Sequence, residues 1–345
     1  MESLVGRIAV ITGASSGIGA AIAQELAAAG CHVVLAARRI DKLEEVAAAI
    51  RDAHPVDVLI VPLDVTQDAD LTQVVAMTSA RFGRIDIWVN NAGLGQYGPV
   101  AALDMNEMRY LFEVNLFAVV RAIQHVTPVM RAQGGGVIVN VGSIMGKFTM
   151  PQLGIAGSSG AYAASKFALQ AISATARMEL AGDKIHVLSV LPGRTTSEFD
   201  QHFLRGPAAG RAPRKSLRGA APASRVARRT VRAIARRERE IYISWVDRAV
   251  VLCITHAPWL YEWAMAKAMH MAPSPPANPG SEQSDDDQVR TAGAKRSQAQ
   301  AIGDRGLSSA DPSTGMKIGV VALGAMALGL ILKVNRRQRA AHRPD

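Results

Sequence analysis

Tyr162 and Lys166 stand four residues apart in Tyr162-Ala163-Ala164-Ser165-Lys166. On a helix that spacing puts both side chains on one face. A free phenol titrates near ~10. An adjacent ammonium favours the phenolate and draws that value down. Such a phenol can give a proton to a carbonyl oxygen or take one from an alcohol. Ser143 follows the run Val139-Asn140-Val141-Gly142, where its hydroxyl can donate to an oxygen gaining negative charge. A third group lies at the start of the chain. The apolar run 7–12 leads into Thr12-Gly13-Ala14-Ser15-Ser16-Gly17-Ile18-Gly19. Three glycines let the backbone turn sharply and approach a diphosphate, and the helix that follows presents free N–H groups to an anion.

These residues need a scaffold. Short, nearly continuous apolar runs at 7–12, 32–37, 57–62, 85–89, 136–142, 185–190 and 240–244 predict about seven strands. Amphipathic stretches at 17–29, 40–53, 67–82, 104–132 and 162–181 alternate with them. Strands apolar on both faces are covered on both sides, so the pattern predicts an α/β, Rossmann-type, doubly wound parallel sheet. The dinucleotide-binding domain is expected to span 1–245. A helical extension of amphipathic, interfacial character is expected over 246–271. A Pro-, Ser- and Asp-rich linker at 272–315, a transmembrane helix at 316–334 and a basic tail at 335–345 complete the expected order.

In order and approximate spacing, the chain resembles the short-chain dehydrogenases/reductases over roughly residues 5–245. The resemblance rests on the loop Thr12-Gly13 to Gly19, Leu63-Asp64-Val65, Asn90-Asn91-Ala92-Gly93, Ser143 with Tyr162 and Lys166, and Pro192-Gly193. It implies a nicotinamide cofactor, with Gly13, Ser15, Ser16, Gly17, Ile18 and Gly19 on the diphosphate. It implies that Asp64 holds the adenine edge beside Val65, and that Asn91, Ala92 and Gly93 pass near the adenosine ribose. Lys166 bonds the nicotinamide ribose as well as assisting Tyr162. Asn115 matches a helix-kinking asparagine whose backbone carbonyl holds a relay water. Pro192, Gly193 and Thr195 border the carboxamide, although Thr195 replaces a frequent valine. Asn90 is read as tying strands together. Ser143 and Tyr162 are nineteen apart, wider than the family pattern, so the extra residues in 152–160 are expected to bulge over the substrate pocket. The family's habit of pairing through the helices after Asn115 and bearing Tyr162 implies a homo-oligomer.

Cofactor choice is read after the second strand, where an acid would bind a ribose 2′-hydroxyl and an arginine a 2′-phosphate. The chain has Ala36-Ala37-Arg38-Arg39 there, so NADP(H) is expected in preference to NAD(H), which stays open. No His/Cys spacing suggests a metal. The formal net charge of +10 is uneven: residues 205–239 carry twelve of the 39 lysines and arginines. That segment could attract an anionic substrate or lipid headgroups, or simply be solvated. Nucleic acid is disfavoured, because 204–240 contains no aromatic to stack on bases. The expectation is a membrane-associated enzyme with a cytoplasmic catalytic domain acting on an apolar carbonyl or alcohol substrate. The competing expectation is a catalytically silent, membrane-tethered NADP(H) sensor or scaffold.

Overall fold

Five consecutive buried residues form β1 (Ile8–Thr12), so both faces of this strand must be covered. Ala9 and Ile11 join one core, built with α1 (Gly17–Ala28), α2 (Ile40–Ala53) and α7 (Ala223–Ala235). Ile8 and Val10 join a second core, built with α3 (Asp68–Phe82), α5 (Ala118–Ala132) and α6 (Gly160–Glu179). The alternation follows from the two-residue period of a strand. This computed structural model describes residues 2–98, 100–149, 160–196, 203–205 and 220–271.

The remaining large-sheet strands are β2 (His32–Ala37), β3 (Val58–Pro62), β4 (Ile87–Asn90), β6 (Gly136–Val141), β7 (Ile185–Leu191) and β11 (Glu240–Tyr242). They form one seven-stranded sheet in the order β11-β7-β6-β4-β1-β2-β3. Every pairing in it is parallel. The fold is the expected doubly wound α/β sheet with added C-terminal helices. Its connection order reverses between β1 and β4, the place where such sheets open a crevice at their carboxyl ends. Short strands β5 (Gly95–Tyr97) and β9 (Phe203–Arg205) pair separately, as do β8 (Thr195–Thr196) and β10 (Ala221–Pro222).

The helix expected over 104–132 is not continuous. It consists of α4 (Met105–Phe112), one π turn (Glu113–Phe117) and α5. Asp104 starts it by accepting from the Asn106 and Glu107 amides. The π turn carries Asn115, whose side chain is committed to another segment. The basic stretch is partly explained by α7, which buries Val226, Ala227, Thr230, Ala233 and Ile234 while Arg225, Arg228 and Arg232 face water.

The expected interfacial segment 246–271 is two helices, α8 (Trp245–His256) and α9 (Pro258–Met271). Ser244 and Asp247 close a capping box on α8. Ala249, Val251, Cys253, Ala257 and Met265 are buried, and the Tyr261 hydroxyl donates to the Thr149 carbonyl at 2.6 Å. These helices therefore use apolar surface on the protein itself. Among the described residues no helix is long and apolar enough to cross a membrane. This corrects the expectation of a membrane-associated protein with a transmembrane helix. The segment 316–334 on which it rested lies outside the described residues, as do the linker 272–315, the tail 335–345 and the loop 152–159.

At the amino ends of the strands, Asp86 is buried and accepts from the Ile8 amide (2.9 Å), Arg7 (2.8 Å) and Arg84 (2.7 Å). Burial pushes its carboxyl up, but the Arg84 bonds, the Ile8 amide and Arg7 outweigh this and hold it below the usual range. A lowered folded pKa stabilises above the unfolded value and is lost as pH falls. Asp86→Ala should therefore cost about 2–3 kcal/mol at pH 7. The difference from wild type should shrink below about pH 4, as read by urea unfolding across pH.

Candidate functional site

The carboxyl ends of β1 and β4 place the first glycine loop against Asn91 and Ala92. The Thr12 hydroxyl donates to the Val89 carbonyl at 3.2 Å and accepts from the Asn91 and Ala92 amides at 3.0 and 3.2 Å. The Asn91 side chain donates to the Thr12 and Gly13 carbonyls, both at 3.1 Å. Gly13 has φ +64°, and a Cβ there would sit 2.9 Å from the Ala92 Cα. A Cβ on Gly19 would collide with the Gly13 carbonyl and the Asn91 amide. Only hydrogen fits at either position.

Beyond this loop, α1 begins with Ser16 as an extended N-cap whose side chain caps no amide. Arg39 instead donates to the Ser16 and Ser15 hydroxyls at 2.8 and 3.2 Å. The first turn of α1 holds no acid. Its first N–H groups thus lack a cap from Ser16 and have a guanidinium nearby, a donor set suited to a dinucleotide diphosphate. Ile18 packs partly on the core, and Arg38 is exposed. Asp64 accepts from the Thr66 amide and hydroxyl at 3.0 and 2.8 Å through one oxygen, Oδ1. Val65 borders a small cavity with Thr12, Ala92 and Val114.

The second half of the site is assembled around Lys166, which is 4% exposed. Its ammonium donates to the Val141 carbonyl at 3.2 Å and lies 5.7 Å from the centre of the Tyr162 ring. A Cβ on Gly93 would be 3.6 Å from that ammonium and 3.2 Å from Asn115 Oδ1. Asn115 is fully buried. It accepts from the Leu94 amide (2.8 Å) and donates to the Leu94 carbonyl (2.9 Å) and the Ser165 hydroxyl (3.0 Å). Ser165 donates to the Tyr162 carbonyl at 2.7 Å. The polar chain runs from the β4 loop through the π turn into α6.

Ser143 stands just past β6, buried, accepting from the Met145 amide at 3.1 Å. The Pro192 carbonyl accepts from the Ile144 amide at 3.0 Å, which brings Pro192-Gly193 alongside Ser143. The Thr195 hydroxyl donates to the Gly193 carbonyl at 3.3 Å. A Cβ on Gly193 would lie 2.6 Å from Asp247 of α8, so the C-terminal helices reach this loop too. Asn90 donates to Asn140 across the β4–β6 register, and Asn140 donates to Ser173 of α6 (both 2.9 Å). It is a strand tie, as expected.

The structure therefore gathers Lys166, Tyr162, Asn115 and Gly93 into one cluster and the glycine loop, Asn91, Ala92 and Arg39 into another. Sequence reading missed Thr12 and Ser165. Thr12 ends β1 directly before the loop, and Ser165 lies three residues after Tyr162 on the buried face; both positions carried the signal.

The short chain dehydrogenase family pattern matches residues 7–206. The chain belongs to the short-chain dehydrogenase family. It is an enzyme, an NAD(P)-dependent oxidoreductase acting on CH–OH and C=O groups of a small molecule. A Drosophila melanogaster dehydrogenase/reductase SDR family protein 7-like is 34% identical over 274 residues, covering 77% of this chain and 81% of the relative. A short-chain dehydrogenase/reductase from Burkholderia phymatum in complex with NAD superposes with TM-score 0.66 at 27% identity. That match covers 76% of this chain and 97% of the other. An alcohol dehydrogenase from the archaeon Thermococcus sibiricus, complexed with 5-hydroxy-NADP, superposes with TM-score 0.58 at 28% identity. It covers 68% and 95%. Similarity thus extends to proteins holding either cofactor type, so membership is established for the family and not for an NADP-preferring branch with a membrane-associating extension, as the sequence had suggested.

Burial draws the Lys166 ammonium down from 10.5 to about 8. Because the folded value lies below the unfolded one, the burial penalty is full below pH 8 and fades as pH rises from about 8 to 10.5. Lys166→Met should raise stability at pH 7 by about 2–3 kcal/mol. It should also remove the rise of stability with alkaline pH, in denaturant titrations at pH 7 and 10.

Proposed function

We propose that this enzyme interconverts a carbonyl and an alcohol with NADP(H), using Tyr162 as general acid and base. The observation that carries the reading is the buried Lys166 ammonium 5.7 Å from the Tyr162 ring centre. When bound, the nicotinamide supplies or accepts the hydride. In reduction Tyr162 Oη gives its proton to the substrate oxygen as the carbonyl carbon gains hydride; in oxidation the proton returns to it. The Lys166 charge favours loss of the phenol proton, and its position beside Gly93 suits a bond to the adjoining ribose. Ser143 donates to the substrate oxygen while charge develops there. Asn115 fixes the Leu94 segment and Ser165 around this pair, and in the family role its backbone carbonyl holds the relay water. Pro192, Gly193 and Thr195 supply the carboxamide edge, and Asp64, Val65, Asn91 and Ala92 the adenosine end.

NADP(H) preference rests on Arg39. It bridges from the end of β2 to Ser15 and Ser16, and Ala36-Ala37-Arg38-Arg39 contains no carboxylate to repel a 2′-phosphate. The substrate we favour is an apolar carbonyl or alcohol compound. NADPH oxidation by the full chain, screened against ketosteroids, 3-keto lipids, retinoids and aldehydes, identifies it.

Two outcomes are expected. Tyr162→Phe should lower kcat by about 10²- to 10⁴-fold while NADPH affinity by fluorescence titration stays within about twofold. A variant that retains turnover would exclude the acid–base role. Arg39→Ala should weaken NADPH about ten- to a hundredfold, as loss of a charge-assisted hydrogen bond implies. NADH affinity should hardly change; equal losses for both cofactors would refute the 2′-phosphate reading.

A further inference from the structure

Part of the basic segment leads away from the redox site. A surface cleft of about 380 Å³ lies where α6 ends and β7 begins. Ile185 starts β7, whereas Pro192 and Gly193 follow its far end. A seven-residue strand separates the two places by about 20 Å. Met178 and Ala181 give the cleft apolar surface, over the buried Ile185. Around them stand Arg177, Lys184 and Arg239, none in an ion pair with a carboxylate among the described residues, although Glu240 acts on Arg177 from nearby, together with His186 and Arg237.

Arg237 is paired with Glu2 through two 3.0 Å bonds. Arg177 is held rigid by the Val187 carbonyl (2.8 Å), the Arg239 carbonyl (3.0 Å) and the Ser189 hydroxyl (3.1 Å). Burial lowers its proton affinity and Arg239 lowers it further, while Glu240 partly opposes both. Burial also lowers His186; the Glu238 carbonyl opposes this, and Arg237, Arg177 and Arg239 add to the lowering. These groups repel one another, and an anion would relieve that repulsion.

The backbone gives a second, independent sign. Lys184 (φ +57°) and Arg237 (φ +52°) are the two non-glycine residues with positive φ among the described residues. Each ends a helical turn, where glycine or asparagine would sit more cheaply. A cation at a helix C-terminus is favoured by the helix dipole, which suits Arg177 in the last turn of α6, Lys184 and Arg237. It does not account for Arg239 on the strand side of the same cleft.

We infer that this cleft is a binding site for a small amphiphilic anion, a carboxylate or phosphate carrying an apolar body. Lys184, Arg239 and Arg177 take the head group, and Met178 and Ala181, over Ile185, take the body. The site is separate from the dinucleotide crevice, so its occupant is a regulator or stabiliser and not the redox substrate.

Isothermal titration of the full chain with octyl phosphate, octanoate and inorganic phosphate tests this. At least one octyl compound should bind saturably with one-to-one stoichiometry and raise Tm; which one does so identifies the head group. Inorganic phosphate should bind at least about tenfold more weakly. Lys184→Gln/Arg239→Gln should weaken the octyl ligand about tenfold or more while leaving NADPH affinity unchanged. The charge-matched control Arg225→Gln/Arg232→Gln, on the exposed face of α7, should bind like wild type. No saturable binding by any of the three, equal binding of inorganic phosphate, or equal weakening in the control would overturn the inference.

Discussion

An ammonium group removed from water must be repaid locally, and the architecture around Lys166 is organised to do so. Among the described residues no carboxylate meets it. Instead it has the carbonyl at the end of β6 and the face of the Tyr162 ring, a cation–π distance that contributes modestly. Both partners hold only if α6 sits in one position against the sheet. Apolar packing would tolerate small slides of a helix; hydrogen bonds inside the core do not. Asn140 to Ser173 and Asn115 to Ser165 fix that position at two points along α6. Each would leave a buried polar group unsatisfied if the helix shifted.

Most of the fold was legible because its strands are buried on both sides. β2 and α2 lie where the apolar run at 32–37 and the amphipathic run at 40–53 put them, and the other sheet strands begin or end within two residues of expectation. The glycine loop and the Tyr162/Lys166 pair were legible because their chemistry depends on local spacing. The π turn was not. Residues 104–132 carry one uninterrupted amphipathic pattern, and the break reflects a contact between Asn115 and Leu94, twenty-one residues apart. The division of the C-terminal segment into two helices was missed for a related reason. The segment's tryptophans and tyrosine suggested a lipid boundary; Trp245, Trp259 and Trp263 are exposed, whereas Tyr261 turns inward to Thr149 and packs edge-on to Phe148 at 6.0 Å. Pro258 and the Ser244-x-x-Asp247 cap were visible signs of two ordinary helices.

Those two helices reach the site from both sides. Tyr261 holds the segment after Ser143, and Asp247 closes on Gly193. A Lys147–Glu240 ion pair at 2.8 Å adds a link from the same segment to β11. The family match ends at residue 206, but the groups bracing the substrate end come partly from beyond it. Loops at strand ends vary readily; here they are backed by helices supplied later in the chain.

The π turn also sets a phase. Each residue of an α-helix advances the chain by about 100°, and a π turn holds one residue more than an α turn, so it takes up a surplus residue that ordinary winding would convert into a rotation of everything downstream. The buried stripe Ala118, Ala122, Val126 and Met130 keeps its place with that residue taken up. Rewinding 113–117 as plain α-helix with every residue kept would swing this stripe by about 100° toward water, whereas deleting one residue there would remove the bulge and leave the stripe in place. The core of α5 thereby guards the bulge beside the active cluster against rewinding, but not against shortening.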